Sequence, residues 1–469
     1  MISPQQLISH IPAYVLEVIT ILETNGHQAW LVGGCVRDLL QGAVPQDYDI
    51  ATDARPDQVI RLFDHHIMTG YRHGTVTVLI NHHPVEVTTF RSESEYSDGR
   101  RPDQVVFHSD IQTDLLRRDF TINSMAWHPQ RGLFDPAQGQ QDLGRRVLRC
   151  VGDPDLRFSE DGLRLLRALR FCAALDLTAT DDTVAAAGRQ AWRINQLSRE
   201  RVWSELRKSM TSRYPVRMIP FARTGVLETA VQGLFGPLRS RRSLTESIAA
   251  LSRPDRTEAE LVALLLILTC AAPDQDGTIR DVDIREWSDG RTLSDWRKRL
   301  VSEGRLARKV SEDALLILYW LGLLVITSVD QAATAETTRR QSAGLLRLLH
   351  RRGANRSRSA LRSLIEQAAG ICDQLELIPD AGPRNAQALQ LIDRIPLAVT
   401  DLAIRGNDLL AAGFRQGPEL QTVLERLLSH ALRQPGPVTR ADLLRLAGRI
   451  AGKRPSDLSG NDNNLSHSL

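Results

Sequence analysis

Residues 31–52 read LVGGCVRDLLQGAVPQDYDIAT, and this stretch decides the fold of the N-terminal region. Short strands are predicted at residues 29–32 and 47–51, and the first runs into Gly33-Gly34 and the expected start of a helix that carries Arg37. Glycine lets backbone N–H groups approach a bound phosphate, and Arg37 can reach the same phosphate. The pattern contains neither a Walker P-loop nor GxGxxG, so it predicts a phosphate-binding turn of another kind.

Asp47 and Asp49 lie two residues apart on the second predicted strand. Side chains at this spacing leave a strand on the same face, whereas Tyr48 should point into the core. Two neighbouring carboxylates repel each other unless a cation binds them, and hard oxygen ligands suit Mg²⁺. A solvated turn is the alternative for an isolated Asp-x-Asp pair.

A β-hairpin is predicted further along, from the β-branched runs at residues 75–80 and 85–90 with a turn at residues 82–84. Glu86 lies on its second strand. It is either a third carboxylate that faces Asp47 and Asp49 or one partner of a cross-strand ion pair. Residues 93–102 are polar and predict a mobile loop.

Arg117 and Arg118 precede Asp119, and the two arginines could bind a triphosphate if Asp119 held one guanidinium in place. Asn123 could cap a helix or orient one of these groups. The alternative is a capped helix start with surface arginines.

Residues 160–170 read EDGLRLLRALR and predict a helix on which Asp161 and Arg164 share one face, followed by Arg167 and Arg170. An aspartate accepts from the amino group of cytosine or adenine, and an arginine donates to the ring acceptor beside it. Uracil and guanine present a carbonyl where the amino group should be, so the pair would select C and A. A surface ion pair at i,i+3 spacing is the alternative.

Length and composition limit the class of protein. The chain has 469 residues, which predicts more than one domain, and 59 basic against 56 acidic residues give a net charge of +3. Five scattered cysteines without CxxC argue against zinc and disulfides and fit a reducing, cytoplasmic location. The N-terminus shows no export signal, and the apolar runs at residues 261–272 and 314–327 are short for a membrane helix.

The strand signal nearly vanishes after residue 155, and helical periodicity continues to about residue 450. The predicted fold is therefore an α+β N-terminal head, with a small mixed sheet and helices, followed by a mostly α-helical remainder. Residues 454–469 lack periodicity and are predicted to be disordered.

Together these motifs resemble the class II tRNA nucleotidyltransferase and bacterial poly(A) polymerase family, within the polymerase β-like nucleotidyltransferases. The strong resemblance covers about the first 210 residues, with Ser124 where the family favours alanine. The segments that carry it are LVGGCVRD (31–38), DYDIAT (47–52), GYRHGTVTV (70–78), VEVTTFR (85–91), RRDFTINSMA (117–126) and VGDPDLRFSEDGLRLLRALRF (151–171).

The resemblance implies a nucleotidyltransferase head over residues 1–150, a neck with the base-reading helix over 151–225, a body over 226–380 and a tRNA-binding tail over 381–453. It implies that catalytic Mg²⁺ is held by Asp47 and Asp49, and Glu86 is a further candidate catalytic carboxylate. The remaining nucleotide-binding residues divide into a group for the triphosphate or ribose, Gly34, Arg37 and Arg118, and a group for the base, Asp161 and Arg164 with Arg167 and Arg170 in support.

The implied reaction is transfer of nucleotides from CTP and ATP to an RNA 3′-hydroxyl with release of pyrophosphate. Residues 70–75 and the loop at 93–102 favour CCA addition to tRNA over CC-only addition and poly(A) synthesis, and an inactive RNA-binding relative is the non-enzyme alternative. The helical part should bind the acceptor arm and elbow of tRNA. Phosphate contacts there could come from a basic stretch, Arg351, Arg352, Arg356, Arg358 and Arg362, unless it is a solvated helix face.

Overall fold

The computed structural model describes residues 4–68, 70–71, 74–94, 104–235, 256–270, 290–303, 306–326, 346, 349, 357–375, 381–393, 396, 399–431 and 438–450. The chain divides into two units, residues 1–256 and 257–469. The predicted boundaries at residues 150, 225 and 380 lie within these units, and the four-part division stays a prediction. The predicted disordered tail and much of the 93–102 loop lie outside the described residues.

A mixed seven-stranded sheet forms the centre of the first unit, in the order β3-β4-β5-β2-β1-β8-β9. Strands β2 and β5 run parallel, and the other neighbours in the sheet are antiparallel. The strands of this sheet are β1 (Ala29–Val32), β2 (Asp49–Thr52), β3 (His66–Ile67), β4 (Thr75–Ile80), β5 (His83–Thr89), β8 (Ala126–His128) and β9 (Gly132–Phe134). Two further pairs lie outside it, β6 (Arg91–Ser94) with β7 (Gln104–Phe107) and β10 (Val147–Leu148) with β11 (Thr178–Ala179).

The sheet buries an apolar cluster on one side of its central strands, which fixes the register of β1 between β2 and β8. All four residues of β1 are buried, and Leu31 lies opposite both Ile50 and Trp127. The cluster comprises Trp30, Val32, Ala51, Phe90, Ile111, Leu115 and Ala126.

The predicted hairpin is present, but its turn lies earlier than residues 82–84. Asn81 and His82 have φ values of 51° and 67°, and Ile80 pairs directly with His83. A two-residue turn of this hand matches the twist of the flanking strands, so His83 and Pro84 belong to β5. Part of the predicted 93–102 loop is also strand, since Glu93 pairs with Val105 in β6 and β7.

The helices of the first unit surround the sheet and continue beyond it. They are α1 (Ala13–Thr24), α2 (Gly34–Leu40), α3 (Pro56–Leu62), α4 (Ile111–Leu116), α5 (Gly139–Gly144), α6 (Pro154–Glu160), α7 (Leu163–Leu175), α8 (Asp181–Gln190), α9 (Arg199–Met210), α10 (Ile219–Arg223) and α11 (Val226–Phe235). Short 3₁₀ helices lie at Pro4–His10, Thr121–Asn123, Ala191–Gln196 and Pro215–Met218. Pro12 has an extended backbone and separates the first 3₁₀ helix from α1.

The second unit is helical throughout its described residues and has its own buried core. Its helices are α12 (Glu258–Cys270), α13 (Gly290–Arg297), a π-helix (Lys298–Glu303), α14 (Arg308–Ile326), α15 (Arg358–Leu375), α16 (Ala381–Leu391), a 3₁₀ turn (Val399–Asp401), α17 (Gly406–Ala411), α18 (Pro418–Ala431) and α19 (Arg440–Ile450). Helix α14 packs against α12 and α15, and the buried Trp320 Nε1 donates to Asn385 Oδ1 at 2.9 Å.

Two arginines of the predicted basic stretch lie on α15 and are engaged in ion pairs. Arg358 pairs with Asp401 at 2.7 Å and Arg362 pairs with Asp393. Arg351, Arg352 and Arg356 lie outside the described residues. No helix within the described ranges is long and apolar enough to cross a membrane.

Candidate functional site

A cavity of about 750 Å³ in the first unit brings together all ten residues predicted to form a site. These are Asp47, Asp49, Glu86, Gly34, Arg37, Arg118, Asp161, Arg164, Arg167 and Arg170. The other described residues that line it are Val32, Gly33, Thr75, Thr88, Arg91, Arg117, Asp119, Asn123, Leu163, Phe171 and Arg201. The structure therefore places the predicted residues around one space, and their individual roles stay predictions.

One side of the cavity carries the three carboxylates. Asp49 begins β2 and lies opposite Glu86 in the parallel register of β2 and β5. The prediction that Asp47 lies on the strand is wrong, because β2 begins at Asp49 and Asp47 occupies the bend before it. Tyr48 is buried, as predicted, and the structure records no ion pair between Glu86 and any described residue.

The electrostatics of Asp49 favour a bound cation. Burial and the negative charge of Glu86 raise the pKa of Asp49 to about 6, although Arg118 acts in the opposite direction. Among the described residues no three His, Cys, Asp or Glu side chains form a closed metal cluster. An open pair of carboxylates fits a hard divalent ion that takes its remaining oxygens from substrate phosphates.

The glycine turn between β1 and α2 lies directly against Arg118. Gly33 has φ +78°, and a Cβ there would lie 2.7 Å from Nη1 of Arg118. The backbone conformation requires glycine at this position, and a Cβ would also displace the end of the Arg118 side chain. Gly34, the predicted binding residue, begins α2 and also lines the cavity.

The arginine pair after α4 is held by Asp114, a residue that the sequence interpretation missed. Arg117 donates to Asp114 Oδ1 at 2.7 Å through Nη2, and Arg118 donates to Oδ2 at 3.1 Å. Asp119 was predicted to hold one of these guanidiniums, but it pairs with Arg167 instead. The i,i+3 and i,i+4 spacing of Asp114 to the two arginines is a signal that could have identified it.

Asp119 connects Arg167 with Arg37, the latter through Asn123. Arg167 contacts its Oδ2 at 2.7 Å, and Asn123 donates to its Oδ1 at 3.1 Å. Arg37 in turn donates to Asn123 Oδ1 at 2.6 Å, so Asn123 orients two groups. Burial alone would raise the pKa of Asp119, but Arg167 and the Asn123 hydrogen bond outweigh it and hold the pKa at about 2.

The predicted continuous helix over residues 160–170 is wrong at its start. Helix α6 ends at Glu160, Asp161 has an extended backbone (φ −143°, ψ 109°), and α7 begins at Leu163. Asp161 and Arg164 therefore do not share a helix face, although both line the cavity. The Asp161 carboxylate accepts from the backbone N–H of Leu163 at 2.9 Å and pairs with Arg201 at 3.3 Å.

Two side chains from α9 contact residues that line the cavity. Arg201 contacts Asp161, and the buried Glu205 accepts from Arg170 Nε at 2.6 Å. Arg164 is held by Glu160 and by the carbonyl oxygens of Arg157 and Arg117. The α9 partners lie 35 and 40 residues away in sequence, so local pattern gave no signal for them.

Comparisons with known proteins agree with this geometry. The family model described as the Poly A polymerase head domain matches residues 29–149. A CCA-adding enzyme of Geobacillus kaustophilus is 32% identical over 418 residues, which is 88% of this chain and 90% of that protein. A CCA-adding enzyme of Levilactobacillus brevis is 44% identical over 198 residues, and the matched part spans 50% of that relative and 42% of this chain.

A solved structure of similar fold is that of the Bacillus stearothermophilus CCA-adding enzyme in complex with CTP. It has a TM-score of 0.64 and 25% identity, and the match covers 92% of this chain and 93% of that chain. The chain thus spans about half the length of the curated relatives that it matches at highest identity. It spans nine tenths of the Geobacillus kaustophilus relative. The expected architecture of an α+β head with a mostly helical remainder is confirmed.

Proposed function

This chain belongs to the CCA-adding enzyme family, and from that membership we propose that it adds C, C and A to the 3′ end of tRNA without a template. CTP and ATP supply the nucleotides. The 3′-hydroxyl oxygen of the RNA forms a bond to the α-phosphorus, the bond to the β-phosphate breaks, and pyrophosphate leaves.

The observation that carries the proposal is the division of charge around one cavity. The carboxylates come from the bend before β2 (Asp47), the first residue of β2 (Asp49) and the middle of β5 (Glu86). The arginines come from α2, the segment after α4, α7 and α9. A nucleoside triphosphate needs both, because its phosphates bind arginine while the reacting phosphorus must approach a metal. A cavity of about 750 Å³ has room for one such nucleotide.

Membership of this nucleotidyltransferase family implies a divalent metal, and we propose that it is Mg²⁺ held by Asp47 and Asp49. When bound, Mg²⁺ would activate the attacking hydroxyl and stabilise the leaving oxygen. Glu86 adds negative charge next to Asp49 and increases the demand for that cation. Arg118 is held by Asp114 and lies against Gly33, and Arg37 is held by Asn123. Both guanidiniums would bind the phosphates.

Base selection is assigned to Asp161 and Arg164, with Arg167 and Arg170 in support. Asp161 accepts from the amino group of cytosine or adenine, and uracil or guanine would leave its carboxylate facing a carbonyl. The Asp161 side chain is oriented by the backbone N–H of Leu163 and by Arg201.

We also place the protein in the cytoplasm, a reducing compartment, because Cys35, Cys150, Cys172 and Cys372 are free and buried.

Labelled CTP and ATP supplied together with a tRNA that lacks its 3′ CCA test the proposal, with the 3′ terminus of the product sequenced. Incorporation of C, C and then A is expected. Incorporation of C alone would instead assign CC addition, runs of A would assign poly(A) synthesis, and no incorporation would leave an RNA-binding relative.

The carboxylate pair is tested in the same assay with Asp47→Asn and Asp49→Asn. Each change should lower incorporation by at least about a hundredfold, because even changes in groups that only orient metal ligands cost 10–100-fold. Asp57→Asn is the matched control, since Asp57 pairs with Arg61 on an exposed helix face away from the cavity. Full turnover in either cavity variant would contradict the assignment of the metal ligands.

A further inference from the structure

Phe171 lies at the arginine side of the cavity and takes no part in the assignments made so far. It is in the third turn of α7, is 4% exposed and lines the cavity. Phe120 contacts it edge-to-face, with ring centroids 5.7 Å apart and an interplanar angle of 79°. The ring is thereby fixed from the side of the core.

Three guanidinium groups surround this ring. The guanidinium carbon lies 4.3 Å from the ring centroid for Arg170, 5.1 Å for Arg167 and 5.3 Å for Arg37. All three distances are within the range of a cation–π interaction. Arg37 comes from α2, which follows the glycine turn, whereas Arg167 and Arg170 lie on α7. Phe171 therefore contacts arginines from both helices.

Each of the three arginines also has a polar partner that sets its position at one end. Arg37 donates to Asn123, Arg167 pairs with Asp119, and Arg170 donates to Glu205. Positive charges this close repel each other. Burial lowers the pKa of Arg170 against the effect of Glu205, and the charge of Arg167 lowers it further.

A neutral aromatic ring suits this position for a physical reason. Asp119, Glu205 and Asp38 already pair with these arginines. A further carboxylate in place of the ring would cancel more of the charge that a phosphate group needs, whereas the ring attracts cations and adds no negative charge. Leucine would fill a similar volume without the quadrupole that provides the attraction.

We propose that Phe171 is a positioning residue that holds Arg37, Arg167 and Arg170 in one cluster for the incoming nucleotide. This inference rests on the proposed function, since it names how the same cavity binds its nucleoside triphosphate.

Binding of CTP and of inorganic tripolyphosphate to the full chain, measured by titration calorimetry, tests the proposal without requiring turnover. Phe171→Leu should weaken the binding of both probes by about tenfold, and Phe171→Tyr, which keeps the ring, should remain within about twofold of the unchanged protein. In steady-state assays Phe171→Leu should raise the KM for CTP more than it lowers kcat.

Phe221→Leu is the matched control, because Phe221 is fully buried in α10 and does not line the cavity. It should lower the melting temperature with unchanged affinity for both probes. If Phe171→Leu does not fold, Phe171→Met takes its place. The proposal would be overturned by unchanged affinity in Phe171→Leu or Phe171→Met. It would also be overturned if Phe221→Leu lost as much affinity, or if Phe171→Tyr bound the probes as weakly as Phe171→Leu. If the protein binds CTP but incorporates nothing, the proposed function is wrong. The affinity measurements still decide the proposal for Phe171, because they do not require turnover.

Discussion

At the scale of single residues, Asp114 holds two of the arginines that line the cavity. Its side chain is 1% exposed and accepts from both Arg117 and Arg118. Burial alone would raise the pKa of Asp114, but the charges of Arg118 and Arg117 outweigh it and hold the pKa below its usual range. The carboxylate is therefore ionised near neutral pH, and it fixes the guanidinium that packs on Gly33.

Asp114→Ala should raise the KM for CTP by about tenfold or more, because Arg117 and Arg118 lose their shared partner. It should also destabilise the protein by about 3–5 kcal/mol, the usual cost of leaving one member of a buried ion pair alone. Steady-state kinetics and urea unfolding measure the two effects.

The control for this change lies on the same helix. Asp110 caps α4 by accepting from the backbone N–H groups of Gln112 and Thr113. Asp110→Ala should cost about 1 kcal/mol of stability with an unchanged KM. A normal KM in Asp114→Ala would show that the arginine pair does not depend on this carboxylate.

At the scale of elements, the break between α6 and α7 sets the position of the Asp161 carboxylate, for which we propose a role in base selection. Gly162 packs against Arg193, and a Cβ there would lie 3.1 Å from the Arg193 Cβ and 3.3 Å from its carbonyl oxygen. A Cβ at this point would require Arg193 to move by a few tenths of an ångström, so glycine allows the close packing, and Asp161 is extended just before it. The carboxylate thus caps the start of α7 and extends toward Arg201, which a position within a continuous helix would not allow.

Asp161→Ala should reduce the preference for CTP and ATP over UTP and GTP by about tenfold or more, because the acceptor that matches the amino group is lost. Affinity for tRNA should change much less. Competition between labelled nucleotides gives the selectivity, and a gel-shift titration gives the tRNA affinity.

A nearby cap serves as the comparison. Asp153 accepts from the backbone N–H of Asp155 at the start of α6 and does not line the cavity. Asp153→Ala should cost about 1 kcal/mol of stability and leave selectivity unchanged. Selectivity retained in Asp161→Ala would remove the argument that this carboxylate reads the base.

Local sequence pattern predicted several elements correctly but not all of their bounds, and it did not predict the contacts between them. The strand at residues 29–32, the hairpin and the glycine turn follow from β-branched runs and glycines, which act over a few residues. The exact start of β2 depends on its parallel pairing with β5, so Asp47 could not be placed from its own neighbourhood. The pairs of Arg167 with Asp119 and of Arg170 with Glu205 span 48 and 35 residues, and no local signal chooses those partners.

One departure from the family pattern in the head has a simple physical account. Ser124 stands where the family favours alanine, and its hydroxyl donates to the carbonyl oxygen of Leu115 at 2.7 Å. A buried hydroxyl with a partner costs little, so the departure is compatible with an intact site.

At the scale of the whole molecule, the chain divides into two units, and the first of them supplies the described residues that line the cavity. The described residues that line the cavity lie between Val32 and Arg201, within the unit of residues 1–256. The second unit buries its own helices α12, α14 and α15 against one another. Each unit therefore has the packing expected of a part that folds around its own core.

A fragment of residues 1–256 should bind CTP with a Kd within about threefold of the full chain, because it retains the described residues that line the cavity, together with Asp114, Glu160 and Glu205. Its affinity for tRNA should fall by about tenfold or more if the helical second unit supplies phosphate contacts. Calorimetry with CTP and gel-shift titration with tRNA, both at one fixed salt concentration, measure the two constants.

The full chain in the same buffer is the reference, since phosphate contacts make affinity depend strongly on salt. Undiminished tRNA binding by the fragment would place the RNA contacts in the first unit, and a loss of CTP binding in a folded fragment would show that the cavity needs residues beyond 256.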